Sequence, residues 1–170
     1  NALYCKYIID SISKKIEETE LILNNFPAYD SNLESYYTYL LSTLSEDEDV
    51  CFILCGVDYS LSKQELEEIT GIGDFVTETL QSLSPVLRFS QNFGYSIYHE
   101  SFKRFLIARL KSKNLNINKK VYNPIIEWYE EKDFFEDNKA YNHLLKLYFE
   151  VNDYNSILKT IDFEFISKSS

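Results

Sequence analysis

Methionine is absent from this 170-residue chain, and it holds only four glycines and three prolines. So few turn-forming residues leave little room for a many-turned β architecture and favour a mainly helical fold. The three cysteines, Cys5, Cys51 and Cys55, form no C-x-x-C pair and no Cys/His set at zinc spacing. Their odd number and spacing exclude a disulfide framework and a zinc finger. Cys51 and Cys55, inside "VCFILCGV", read as small buried hydrophobes, which favours a reduced, cytoplasmic setting over secretion. No apolar run approaches the roughly 18–20 residues of a membrane span, and no signal peptide is visible. The missing Met, with helical patterning from Asn1-Ala2-Leu3 onward, leads to the expectation of a segment from a longer protein. Positive charge is also short: 17 Lys and Arg face 27 Asp and Glu, a net charge of −10. That balance disfavours nucleic acid as a default partner, because phosphate attraction is the sequence-independent part of such binding.

Aromatic residues are abundant, with 14 Tyr and 12 Phe. They supply a core for one ordinary domain or two small ones. In "NALYCKYIIDSISKKIEETELILN", Leu3, Tyr7, Ile8, Ile12 and Ile16 recur at helical spacing until Pro27 interrupts. Asp30-Ser31-Asn32 offers cap residues for a new helix with Leu33, Tyr36, Tyr37, Leu40 and Leu41 as its apolar face. The acidic turn "SEDEDV" leads into "VCFILCGVDYS", expected to be helical although its composition alone also fits a buried strand.

Ser62 followed by Glu65 is a capping box that opens a short helix through Ile69. The "TGIGD" turn joins it to a second helix, in which Phe75, Val76, Leu80 and Leu83 are expected on one face, before Pro85 ends it. "VLRFS" and "YSIYH" alternate on either side of "QNFG", a compact hairpin signal. Three helices with a helix–turn–helix, followed by a hairpin, make a winged helix. A basic amphipathic helix, "SFKRFLIARLKSK", comes next. Beyond "NLNIN" lie short helices in "KKVYNPIIEWYEEKD" and a helical hairpin in "YNHLLKLYFEVNDYNSIL", the form the first unit of a TPR-like solenoid takes.

Catalytic patterns are lacking. "GIG" has neither the spacing nor the Lys of a P-loop, and no serine sits in an elbow motif. The carboxylates fall in runs such as "KIEETE" and "WYEEKDFFED" that read as solvated helix faces. His99 and His143, the two histidines, lack a third ligand at metal spacing; His143 and Trp128 lie on aromatic helical stripes and read as packing residues. No membrane-binding feature is present. A DNA-reading winged helix presents Arg, Lys, Asn or Gln from its second helix. Here that helix offers Asp74, Glu78 and Gln81 without Lys or Arg, and the helix before it carries Glu65, Glu67 and Glu68 against Lys63. The basic residues Lys103, Arg104, Arg109, Lys111, Lys113, Lys119 and Lys120 lie after the wing with no acid among them. Such a face suits nucleic acid, an acidic domain of the same protein, or the phosphates of a nucleotide.

"YHESFKRFL", Tyr98 to Leu106, resembles the aromatic–His–x–Ser–Phe–x–x–Phe–Leu block that closes the winged-helix domain of STAND-type signalling NTPases, the NACHT and AP-ATPase group. "NALYCKYII" is similar to the tail of that family's "GNPLYLRYL"-like segment, with Ala2 where the motif has its nucleotide-contacting Pro. "NNFPAYDSNLESYYTYLLSTL" resembles the helical linker that follows. The resemblance spans nearly the whole chain and is most specific at the His-Ser-Phe block. It implies a helical linker at 1–44, a winged-helix domain at 45–112, and helical hairpins opening the sensor repeats at 113–170. It also implies an upstream ATPase domain of the same protein that holds ADP or ATP with Mg, further helical repeats downstream, and a protein trigger.

In that family the winged-helix histidine reaches the phosphates of bound ADP and holds the resting state closed. Carried over, this phosphate-sensing role falls on His99, with Tyr98, Ser101, Phe102, Phe105 and Leu106 as supporting packing. An imidazole N–H is a competent donor to a phosphate oxygen, more so when charged. Without the resemblance, His99 also reads as a polar residue at a strand-to-helix junction. The expected function is the regulatory segment of an ATPase that couples nucleotide state to sensing and oligomerisation, of antiphage-defence type, and not itself catalytic. The alternatives are a nucleic-acid-binding winged-helix module and a helical protein-interaction adaptor.

Overall fold

The computed structural model describes residues 2–14, 19–28, 33–44 and 48–161. The cap residues expected at Asp30-Ser31-Asn32, and Ile16 of the first apolar stripe, lie outside them. The architecture is mainly helical with one two-stranded antiparallel sheet. Helices α1 (Ala2–Lys14), α2 (Thr19–Asn25) and α3 (Glu34–Ser42) form an N-terminal layer. Tyr7 of α1 stacks on Tyr36 of α3 with ring centroids 4.4 Å apart. Tyr36, Tyr37, Leu40 and Leu41 are buried as the apolar spacing predicts.

Helix α4 (Asp49–Cys55) is buried along nearly its whole length, from Val50 to Cys55. This settles the helix-or-strand ambiguity of "VCFILC". Ser62 then caps α5 (Lys63–Thr70): its hydroxyl accepts from the Glu65 N–H at 3.1 Å, and the Glu65 carboxylate accepts from the Ser62 N–H at 2.6 Å. Helix α6 (Phe75–Ser82) buries Val76 and Leu80, with Leu83 just beyond its end. Phe75, expected on that face, is 57 % exposed. At 100° per residue, Val76, Leu80 and Leu83 fall within about 60° of one another, whereas Phe75 lies about 100° to one side of Val76.

Strand β1 (Leu87–Ser90) pairs with β2 (Gly94–Ile97) in the register Leu87 to Ile97 and Ser90 to Gly94. Leu61 bridges to Tyr95 on the far edge of β2, with hydrogen bonds of 2.9 and 2.7 Å. The order α4, Leu61, α5, α6, β1, β2 is the winged-helix topology, including a first strand reduced to one residue. Helix α7 (Glu100–Ser112) follows the wing and buries Phe102, Leu106 and Leu110. A π-helical turn (Asn118–Tyr122) leads into α8 (Asn123–Glu130), with Pro124 in its first turn. The π turn lies against the end of α4, where Gly56 is required: a Cβ there would strike Val121 Cγ1.

Helices α9 (Asn138–Glu150) and α10 (Tyr154–Thr160) form the expected hairpin. Asn152 turns the chain at φ 62°, and Asp153 caps α10 through the Ser156 N–H. One buried cluster runs from Tyr7 through Trp128 to Tyr148 and takes in Cys51 and Cys55, neither of them in a disulfide. No described helix is long and apolar enough to cross a membrane.

Candidate functional site

His99 stands between β2 and α7, in the N-cap position, with extended backbone (φ −113°, ψ 116°). Its side chain does not cap the helix; only its carbonyl joins, accepting from the Phe102 N–H at 3.0 Å. The half-exposed imidazole turns to Ser101, whose Oγ lies 2.6 Å from Nδ1. The same Oγ lies 2.6 Å from the hydroxyl of Tyr37 on α3. Nδ1 is therefore engaged, and Nε2 is the ring nitrogen available to a ligand. Phe102 and Leu106 are fully buried and Phe105 packs partly buried beside them. The Tyr37 ring sits 5.0 Å from Phe102 and 5.4 Å from Phe105, which anchors α3 on α7 directly beneath the histidine.

Tyr98 flanks His99 edge-on, with ring centroids 5.9 Å apart. Its hydroxyl accepts from the Lys6 ammonium at 3.0 Å, and that ammonium also lies 4.6 Å from the ring centroid. The hydrogen bond to Tyr98 raises the Lys6 pKa above its ordinary value. The Tyr7 hydroxyl is wholly buried without a partner in hydrogen-bonding geometry, next to the hydroxyls of Tyr37 and Tyr98. Burial first, then those neighbours, push its ionisation upward.

The structure thus brings together all of the residues named at this junction, Tyr98, His99, Ser101, Phe102, Phe105 and Leu106, and adds Lys6, Tyr7 and Tyr37. Sequence reasoning counted Tyr7 and Tyr37 as apolar-face residues. Nothing in a helical stripe reveals where a tyrosine hydroxyl ends.

The basic residues after the wing are distributed differently from the open face that the sequence suggests. Arg109 grips Glu48 through Nε and Nη2 at 2.9 and 2.6 Å, and Lys113 reaches the same carboxylate at 2.9 Å. Lys120 pairs with Asp49 at 2.9 Å, and Lys103 donates to the Val57 carbonyl at 2.7 Å. Arg104, Lys111 and Lys119 are exposed. Glu48 and Asp49 therefore pair with three of those seven basic residues. On α6, Asp74, Glu78 and Gln81 are exposed.

His143 packs, as its stripe suggests: it stacks on Tyr59 at 3.7 Å, and burial lowers its pKa. Trp128 is buried, with its indole N–H donating to Glu68 at 2.8 Å. Among the described residues no three His, Cys, Asp or Glu side chains gather as metal ligands. A groove of about 700 Å³ runs beside the wing, lined by Phe89, Phe93, Trp128, Lys132 and Lys139 among others.

No family model, curated protein or solved structure matches this chain.

Proposed function

We propose that this chain is the regulatory winged-helix segment of a multidomain STAND-type NTPase, coupling ADP or ATP state to ligand sensing and oligomerisation. The observation that carries the reading is His99: a half-exposed imidazole at a strand-to-helix junction, inside "YHESFKRFL", held by Nδ1 with Nε2 left for a phosphate. The nucleotide and its Mg belong to an upstream ATPase domain of the same protein, with helical repeats downstream, a protein trigger, a cytoplasmic setting and a role in antiphage defence. The segment itself is non-catalytic. It moves against the ATPase core as nucleotide state changes, a hinge-type transition. In the full-length protein, His99→Ala is expected to cut ADP retention about tenfold, the worth of one charge-assisted hydrogen bond of about 1.4 kcal/mol. It should also raise basal activity. Unchanged retention and basal activity would sink the sensing role.

A second reading, a helical protein-interaction adaptor, is supported by exposed apolar side chains. Phe89 and Phe93 on the wing are 62 % and 67 % exposed, and Leu158 on α10 is 73 % exposed. Nucleic-acid binding has less support, because Glu48 and Asp49 pair with three of the seven basic residues after the wing.

A further inference from the structure

We infer that Tyr37 and Ser101 are positioning residues that hold neutral His99 as its Nε2–H tautomer, through a hydroxyl chain that begins at Tyr37 on α3. Three groups stand in line: the Tyr37 hydroxyl, Ser101 Oγ and His99 Nδ1. The two links are each 2.6 Å long. The direction of the protons follows from the ends of the chain.

In one direction, Tyr37 donates to Ser101, and Ser101 to a bare Nδ1. In the other, Nδ1–H donates to Ser101, and Ser101 to Tyr37. The second arrangement strands the Tyr37 proton, because the tyrosine is buried and its hydroxyl bonds to Ser101 alone. A buried donor without an acceptor is the costlier defect, while an acceptor lone pair left unfilled is better tolerated. The first direction therefore prevails. Nδ1 is an acceptor, and the single ring proton sits on the outward Nε2.

The consequence deepens the phosphate reading and rests on it: an outward N–H suits a phosphate oxygen, whereas an outward bare nitrogen would face it lone pair to lone pair. It also makes the seat of α3 a condition of that donor. If α3 shifts, the link from Tyr37 breaks and Nε2 is no longer held protonated. A nucleotide-driven movement of the N-terminal layer would then be registered at a ring nitrogen on another element.

Long-range proton–nitrogen correlation spectra of the ¹⁵N-labelled 170-residue chain at alkaline pH test this directly, with His99→Gln identifying the signals. The expected pattern is His99 Nδ1 in the unprotonated range and Nε2 in the protonated range. Tyr37→Phe, which keeps the ring and removes only the hydroxyl, should move both shifts toward those of a mixed tautomer, and Ser101→Ala should do the same. A wild-type ring protonated on Nδ1 would overturn the inference without any variant. So would unchanged shifts in both variants while their circular dichroism stays native. In the full-length protein, Tyr37→Phe should lower ADP retention several-fold in the same sense as His99→Ala. A correct tautomer with His99→Ala inert toward ADP would uphold the positioning role and remove the sensing reading.

Discussion

Glu48 shows how much a single residue depends on partners far along the chain. Burial works to raise its carboxyl pKa, but hydrogen bonds from Arg109 and Lys113 outweigh that and hold it below the usual carboxylate range. A depressed carboxylate contributes stability that is present above its unfolded pKa of about 4.3 and is lost as pH falls through the folded value. Glu48→Gln should therefore cost about 1–3 kcal/mol at pH 7, with the deficit shrinking toward pH 3. Urea unfolding at the two pH values checks both the size and the sign. None of this was legible beforehand. Glu48 reads as one acid in a turn and Arg109 as one base in a solvated run, because they stand 61 positions apart. Lys120 and Asp49 are separated by 71. His99 itself could be picked out from the residues beside it, but its link to Tyr37 could not.

At the scale of elements, local chemistry did most of the work. The Ser62–Glu65 capping box, the helical hairpin broken at Asn152-Asp153, and the alternation around "QNFG" each rest on residues within a few positions. What escaped was the third strand of the wing, since one bridging residue, Leu61, has no periodicity to detect. That bridge makes Gly94 the critical residue of the hairpin. It sits at φ 94°, and a Cβ would run into the Leu61 carbonyl and the Ser62 nitrogen. Gly94→Ala is expected to cost about 2–3 kcal/mol in strain. Gly71→Ala, at φ 70° but facing open space, should cost only about 1 kcal/mol. Chemical denaturation of the two variants side by side tests the order, and equal losses would remove the close approach as the cause.

For the molecule as a whole, the decisive contact is the seat of α9 on the loop before α5. His143 stacks on Tyr59, Lys146 pairs with Asp58 at 2.7 Å, and Lys139 reaches both the Ser60 carbonyl and Glu65. Burial lowers the His143 pKa, Asp58 works against that, and Lys146 and Lys139 add to it. With the folded pKa below the ordinary value of about 6.5, the unfolded chain binds the proton more readily in that interval. Stability should therefore fall as pH drops from about 6.5 toward the folded value. Thermal unfolding across that window should show a slope that His143→Gln flattens. This lies above the window in which Glu48 titrates, so the two effects separate.

The sequence by itself determined that the chain is mainly helical, where its helices and wing lie, most of the apolar face that α3 buries, and that His99 is the polar residue to watch. Those properties follow from spacing, caps and turns, which act within a dozen residues. Only the tertiary structure decided that Arg109, Lys113 and Lys120 of the basic run pair with Glu48 and Asp49, that Phe75 faces solvent, and that Tyr37 and Ser101 grip the ring of His99. These are contacts between side-chain ends on elements that meet only once the core has closed. Periodicity places a Cβ on a face; the position of a hydroxyl or a carboxylate at its tip is settled by what packs against it.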